Sequence, residues 1–414
     1  MLENFLPDRA AVERLRGGRF GPHLDSFVAT RCQLGYARST VRVQLRLLDD
    51  LERWLDRNRL ALVNLHEPVV QRFLAERRSK GCCRKSDAPT LRHFLEHLRQ
   101  QGAVAAPAPV VDESPLAALR QRYETYLQKE RGLSPVTVVG YWRHIGRFLV
   151  ERFGDAPPCL REVVPNDLSA FLLRHARSGS PKVAQMMVAA LRSFFRFLFQ
   201  HAETDRDLAA AVPTVPQWRL AEVPKYLTPA QVEQVVQACR RDTAAARRDH
   251  AIILLLARLG LRASEVLALQ LDDIDWRAGV LTVRGKGGYH DPLPLPADVG
   301  AAIAIYLRHH RPPCTTRRVF IRTRAPHRGF AHLGCISTIV CRALNRAGLQ
   351  PQFKGAHILR HSLATGMLRA GASMGEIGEI LRHRAANTTE IYAKVDIQGL
   401  RSLALPWPIK GGEQ

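Results

Sequence analysis

Four short clusters in the C-terminal half of the chain carry side chains able to handle a phosphate or a proton. In Leu259-Gly260-Leu261-Arg262-Ala263-Ser264-Glu265-Val266 an apolar helix breaks at Gly260, and Arg262 follows three residues before Glu265. The pair reads in two ways. It is an arginine near a helix start satisfied by a neighbouring acid, or a guanidinium fixed by that acid so that it can fork onto a phosphate. Lys286 stands in the turn Gly285-Lys286-Gly287-Gly288, where glycines let the backbone approach a ligand. A hairpin lysine is ordinarily just solvated. Yet Lys286, Lys354 and Lys394 are the only lysines between Leu227 and Leu403, and an ammonium can give up a proton where a guanidinium cannot. The glycine pattern is not a Walker loop, because no Lys-Ser/Thr opens a helix behind it.

In Gly355-Ala356-His357-Ile358-Leu359-Arg360-His361-Ser362 the residues His357, Arg360 and His361 lie three and four apart and share one helical face. A metal pair at His357 and His361 is one reading. Against it, Ile358 occupies the place of the zincin glutamate, and an adjacent guanidinium opposes a cation; no metal is expected. A structural helix with surface histidines is the plain alternative. The last cluster runs from Leu381 to Tyr392. Asn387 and Glu390 have capping-box spacing, which predicts a helix start there and puts Tyr392 in its second turn. A phenol of ordinary pKa near 10 becomes a competent nucleophile if cations stabilise its phenolate; otherwise Tyr392 is packing. His383 lies nine residues earlier, in the preceding turn.

These clusters must be positioned by a domain that begins where Thr228 caps a helix with Pro229 at its first position. Asp275-Trp276 and Gly279–Arg284, then Tyr289–Leu295, flank the Gly-rich turn and predict a β-hairpin. Helical periodicity predicts helices near 297–310, 335–348, 356–370, 373–382 and 387–396. The fold class expected is mainly α, with a small β-hairpin or sheet in an α+β C-terminal domain and helical modules ahead of it. Gly102–Pro115, with its three prolines, reads as a semi-rigid linker. A second boundary runs through Pro213, Pro216 and Pro224.

The two stretches before that boundary repeat one another. Gly35-Tyr-Ala-Arg-Ser-Thr-Val41 matches Gly132-Leu-Ser-Pro-Val-Thr-Val138, and Leu91-Arg-His-Phe-Leu95 matches Leu191-Arg-Ser-Phe-Phe195, which suggests duplication of a unit of about four helices. They are two ordinary packing modules or two modules gripping a duplex. Arg42, Arg46, Arg143 and Arg147, on otherwise apolar helices, favour the second reading.

Composition narrows the partner. Among 414 residues there are 61 Lys+Arg against 38 Asp+Glu, a net charge of +23, while 46% of residues are hydrophobic. That is a folded protein whose charge is best repaid by a polyanion, and it argues against an enzyme of small neutral metabolites. Arginine outnumbers lysine 52 to nine, which suits planar phosphate contacts, though GC-rich coding could also produce it. The eight cysteines form no CxxC pair, so reduced, mostly buried thiols are expected. The longest apolar run, Ala251–Ala257, is too short to span a bilayer; no membrane association is expected.

Taken in order, Arg262, Lys286, His357-x-x-Arg360, His383 and Tyr392, with LGLRASEV, GKGG, HILRHSLAT and the closing H-x8-Y around them, resemble the signature of the tyrosine recombinases, the phage-integrase family. The resemblance covers about Leu227 to Leu403. It implies a site-specific recombinase or integrase of a mobile element that cleaves and rejoins DNA through a 3′-phosphotyrosine link, with no cofactor and no metal. Tyr392 would be the nucleophile, Arg262 and Arg360 the phosphate clamp, Lys286 the acid for the leaving 5′-oxygen. His357 would act as acid–base on the tyrosine or as a phosphate donor, and His383 as a phosphate donor. Glu265 would orient Arg262, and His361 would stand behind the reacting groups.

The same resemblance implies a homo-tetramer, or a mixed tetramer with related recombinases, on two DNA sites in the bacterial cytoplasm at the nucleoid. Each C-terminal segment would dock on a neighbour; here the short segment from Leu403 to Gln414 offers Leu405 and Trp407 as a small apolar plug. The expected divisions are an extra N-terminal helical module over 1–101, a linker over 102–115, and a core-binding SAM-like domain over 116–205. A second linker over 206–226, the catalytic domain over 227–403 and a tail over 404–414 follow. Residues 1–101 are expected to bind DNA or contact another protomer. Three rival readings stand beside this one: a DNA-binding protein without cleavage, a DNA-relaxing enzyme or telomere resolvase with the same tyrosine chemistry, and a metalloenzyme.

Overall fold

The computed structural model describes residues 2–6, 8–107, 114–154, 156–176, 180–216, 223–285, 289–395 and 401. It is mostly helical, with one three-stranded antiparallel sheet. Contacts divide the chain into two compact units, Met1–Ala106 with Glu222–Gln414, and Pro107–Ala221. No described helix is long and apolar enough to cross a membrane.

The N-terminal part of the first unit consists of α1 (Arg9–Gly17), α2 (Gly21–Gln33), α3 (Arg38–Arg57), α4 (Glu67–Ser79) and α5 (Asp87–Gln100). In α3 the residues Val41, Leu45, Leu48 and Leu55 recur at helical spacing and are all buried, each worth about 1.5–3 kcal/mol of apolar burial. The turn after α2 uses Gly35 at φ +80, a conformation costly for any residue with a Cβ. There Leu34 O accepts a hydrogen bond from the His327 N–H at 2.9 Å. A Cβ on Gly35 would lie 1.9 Å from His327 Cδ2.

The second unit holds α6 (Pro115–Thr125), α7 (Pro135–Phe153), α8 (Pro165–Ala176) and α9 (Pro181–Gln200). Three of these helices start at Ser-Pro. Ser114, Ser134 and Ser180 each accept a backbone N–H three residues on, and a proline at the first helical position gives up only an N–H that would have no partner there. Leu208, Ala209 and Val212 are packed into this unit's core. Part of the span read from sequence as a linker from 206 is therefore core, because its apolar side chains find the aromatic face of α9.

The C-terminal part of the first unit begins with α10 (Pro229–Ala238), whose Thr228 and Gln231 form a reciprocal capping box. In α11 (Ala244–Arg258) every residue from Ala251 to Ala257 is buried, so it is the central helix of the large core. α12 (Ala263–Ala268) follows, then β1 (Ile274–Asp275), β2 (Val280–Arg284) and β3 (His290–Pro294). β2 and β3 pair from Val280↔Pro294 to Arg284↔His290, which is the predicted hairpin. α13 (Ala297–Ile305), α14 (Gly334–Arg346), α15 (His357–Arg369) and α16 (Met374–Ile380) complete the helices. A smaller core of Ala364, Ile377, Leu381, Tyr392 and Val395 sits under α15 and α16.

One expected element differs. In place of a helix over 387–396 there are two 3₁₀ turns, Ala386–Thr388 and Glu390–Val395. At three residues per turn Tyr392 and Val395 eclipse one another, and both enter the smaller core.

Candidate active site

Gly260 makes the site. Its φ is +57, and a Cβ there would stand 2.7 Å from Leu381 and 3.0 Å from Leu363. Only a bare α-carbon allows the break between α11 and α12 to close against α15 and the turn after α16. The Gly260 carbonyl then accepts from Arg360 Nη1, and the Leu381 carbonyl accepts from Arg360 Nη2. Arg360 is 4% exposed. Burial, and then the neighbouring Arg262 and Arg382, bring its pKa down to about 10, still fully charged at neutral pH.

Arg262 lies just before α12, beside this guanidinium. Its backbone N–H donates to Glu265 Oε2 at 2.8 Å, its Nη1 to Glu265 Oε1 at 2.7 Å, and its Nη2 to the Arg382 carbonyl at 3.3 Å. Glu265 is buried. Burial alone would raise its carboxyl, but the Arg262 N–H and the Arg382 and Arg262 guanidinia together hold it below the ordinary carboxylate range. The side chain of Arg262 is still 36% exposed. Its guanidinium is thus held in place by Glu265 and the Arg382 carbonyl while the side chain stays accessible.

Arg382 was not singled out by the sequence. It has φ +55, is buried, and donates from Nη2 to Glu265 Oε2 at 2.9 Å and from Nη1 to the Ile380 carbonyl at 3.1 Å. One carboxylate thus serves two arginines 120 residues apart. No periodicity announces it: Arg382 is one more arginine in an arginine-rich chain, and a left-handed backbone at a non-glycine residue is not written in its type.

Tyr392 is 1% exposed. Its hydroxyl is 2.9 Å from His361 Nδ1. Sequence reasoning sets His361 behind the reacting groups and gives His357 either acid–base work on the tyrosine or a phosphate contact; the structure puts His361 in contact with the phenol. The reason is helical phase, since His361 lies one turn further along α15, over the 3₁₀ turn that carries Tyr392. The His357 ring is 6.3 Å from that of His361. Burial pushes the Tyr392 phenol up to about 12, against a downward pull from Arg360 and Arg262. Burial, and then His357 and Arg360, push His361 down to about 4. His361 is therefore neutral at pH 7, and with its proton on Nε2 it accepts from the phenol.

His383 Nδ1 is 2.8 Å from Thr389 Oγ1, a second residue the sequence did not single out. Burial first, then Arg360, Arg262 and Arg382, lower His383 to about 4, and burial with Arg360 lowers His357. Three neutral imidazoles therefore border two charged guanidinia, a set able to donate several hydrogen bonds to one phosphate. Lys286 and residues 287–288 lie outside the described residues, as do Leu405 and Trp407. On the flanks of that turn, Arg384 bonds Asp291 at 2.9 Å and sits over the Tyr289 ring at 4.3 Å.

Similarity to known proteins identifies the family. The family model described as phage integrase family matches residues 225–398, and that of the phage integrase N-terminal SAM-like domain matches 121–202. An integrase/recombinase of Sinorhizobium fredii is 41% identical over 400 residues, covering 96% of this chain and 97% of its own. The tyrosine recombinase XerC of Shewanella amazonensis is 32% identical over 290 residues, 69% of this chain and 93% of that protein. Among solved structures, XerH bound to palindromic difH substrate aligns at TM-score 0.57 and 20% identity, over 75% of this chain and 93% of that one. A lambda integrase dimer bound to a COC′ core site aligns at TM-score 0.52 and 19% identity, over 68% and 96%. These two likenesses show the fold.

Proposed function

The chain belongs to the phage integrase family and is a tyrosine recombinase, an enzyme of site-specific DNA recombination; from that premise we propose that Tyr392 is its nucleophile and that Arg262, Arg360, His357 and His383 hold the scissile phosphate. The observation that carries this reading is the contact of the Tyr392 hydroxyl with a neutral His361 beside the two charged guanidinia. Tyr392 Oη attacks the phosphorus, the phenolic proton passes to His361 Nδ1, and the bond from phosphorus to the 5′-oxygen breaks. The product is a 3′-phosphotyrosine and a free 5′-hydroxyl, protonated by the Lys286 ammonium. Attack by the 5′-hydroxyl of a second duplex reverses the step. Arg262 and Arg360 neutralise the charge that builds on the non-bridging oxygens, and because their contacts to Glu265 and to backbone carbonyls exist beforehand, little reorganisation is needed. Glu265 and Arg382 orient Arg262.

The substrate in this reading is duplex DNA at specific sites, held by a homo-tetramer or by a mixed tetramer with related recombinases, at the nucleoid of a bacterial cell. Integration, excision or transposition of a mobile element is the biological setting. Residues 116–205 form the core-binding domain and 227–403 the catalytic domain. The test is a nicked suicide duplex carrying the element's end sequence, incubated with the protein in EDTA and run on a denaturing gel. A covalent adduct is expected from wild type and none from Tyr392→Phe. Tight binding without an adduct, with related recombinases added, would overturn the assignment.

A further inference from the structure

The helices before residue 106 repeat, in order and in packing, those of the unit matched by the SAM-like family model. α2, a left-handed glycine at Gly35, α3 of 20 residues, a 3₁₀ turn at Leu62–Asn64, α4 of 13 residues and then α5 make up the first copy. The second copy is α6, a left-handed glycine at Gly132, α7 of 19 residues, a 3₁₀ turn at Leu160–Glu162, α8 of 12 residues and then α9. One aromatic pair between the first and last helices corresponds in the two cores. Phe27 of α2 meets Phe94 of α5 edge-on, with centroids 5.0 Å apart, and Tyr123 of α6 meets Phe194 of α9 edge-on at 5.2 Å. A weak sequence repeat becomes a structural duplication, because edge-to-face aromatic packing tolerates Phe/Tyr exchange while fixing the helix crossing.

The first copy carries an open groove of about 980 Å³ between α3 and the segment after α4, lined by Arg46, Arg53, Arg57, Arg77, Lys80 and Arg84. Its acids are occupied. Asp50 takes Arg53 and Arg77, Asp87 takes Arg77, Glu76 takes Lys80, and Asp56 takes Arg19. Asp87 also accepts the Arg84 backbone N–H at 3.0 Å, but among the described residues no carboxylate lies within ion-pair distance of the Arg46 or Arg84 guanidinium, nor of the Lys85 ammonium on the same loop, and all three residues are exposed. Uncompensated cations on a groove of a protein that acts on DNA are placed to meet phosphates.

We infer that this groove is a second DNA-binding site, in which Arg46, Arg84 and Lys85 contact the phosphate backbone of a duplex. The Sinorhizobium fredii relative aligns across this region, whereas XerC, 93% of whose length is matched, leaves the remaining 31% of this chain without a counterpart. The site is therefore an addition to the two-domain design. It rests on the reading that the substrate is DNA.

The test compares the full-length protein with the triple variant Arg46→Ala, Arg84→Ala, Lys85→Ala. Each binds a labelled duplex of the element's end sequence across a potassium chloride series. Three lost phosphate contacts make the slope of log K against log salt shallower by about 2.7, and binding at low salt becomes roughly 10- to 100-fold weaker. The adduct formed at saturating DNA is unchanged. Arg53→Ala, which removes a groove cation already paired with Asp49 and Asp50, is expected to leave the slope unchanged. Three results would overturn the inference: an unchanged slope with weakened pairing of two DNA sites, which would assign the groove to another protomer; an unchanged slope with unchanged pairing; or an equal slope change per residue in Arg53→Ala, which would mean that net charge alone is read. Failure of wild type to form an adduct would instead strike the recombinase reading, because the slope comparison reports binding whether or not cleavage follows.

Discussion

The catalytic centre and the N-terminal groove both use arginine, in opposite ways. Arg360 and Arg382 are buried, and their guanidinia are held by the Gly260, Leu381 and Ile380 carbonyls and by Glu265. Arg46 and Arg84 are exposed, and no acid among the described residues pairs with their guanidinia. A buried cation whose partners are already in place meets transition-state charge without rearranging, so its worth appears in a rate. An exposed cation works in high dielectric, is screened by salt, and its worth appears in a binding slope. The contrast teaches that surroundings, and not residue type, separate the arginines proposed for chemistry from those proposed for grip.

The sharpest way to break this contrast is Arg360→Ala. It is expected to cut the single-turnover rate of covalent adduct formation by about 10²–10³-fold, with equilibrium binding to the same duplex nearly unchanged by mobility shift. Equal losses in rate and binding would erase the distinction between the two regions.

Glu265→Ala comes next, because it leaves Arg382 buried without its carboxylate. Breaking such a pair is expected to lower the unfolding free energy by about 3 kcal/mol, read from urea denaturation. The lowered carboxyl gives the direction with pH: its contribution is present above the unfolded carboxylate pKa and is lost as pH falls through the lower folded value. Wild type should therefore lose more stability on acidification through that window than Glu265→Gln does.

A third effect is on the rate profile. With His361 at about 4, a neutral base is available well below the usual histidine range. Single-turnover cleavage should be flat between about pH 8 and pH 6 and fall only as pH approaches the His361 value. An acid limb centred near 6.5 would remove His361 from the proton path.

A smaller effect is expected from Gly35→Val. It leaves both arginine sets intact but sets a branched side chain into the space of the His327 ring, in a left-handed conformation unfavourable to valine. The contact of Leu34 with His327 should be lost, read as faster backbone amide exchange at His327, with the adduct rate nearly that of wild type. The smallest effect belongs to Arg84→Ala alone. One phosphate contact is worth about 0.9 in the salt slope, and the cleavage rate at saturation should not move.

Much of the site is legible from spacing. Arg262 and Glu265 are three apart, and His357, Arg360 and His361 three and four apart, so each set shares a face wherever a helix forms. The broken apolar run at Gly260 announces a turn, and the Gly-rich stretch between β-type segments announces the hairpin. Two assignments went differently because neighbours in space decided them. His361 reaches the Tyr392 hydroxyl through the turn of α15 over a segment 31 residues away. The segment after Ala386 is 3₁₀, and its Tyr392 and Val395 enter a core whose other members lie in α15, in α16 and at Leu381 just after it.

The sequence by itself determined most of the elements, the order of the chemical groups and the duplication of the helical modules, because these follow from periodicity, from caps such as Thr228, and from local i, i+3 and i, i+4 geometry. Tertiary structure alone decided which carbonyls hold Arg360, that Glu265 serves Arg382 as well as Arg262, and which cations of the N-terminal groove are left without acids. Each of those depends on segments up to 120 residues apart closing to hydrogen-bond distance. At the catalytic cluster that closure depends on the packing of Gly260 against Leu381 and Leu363, a fit of shapes that no local pattern encodes.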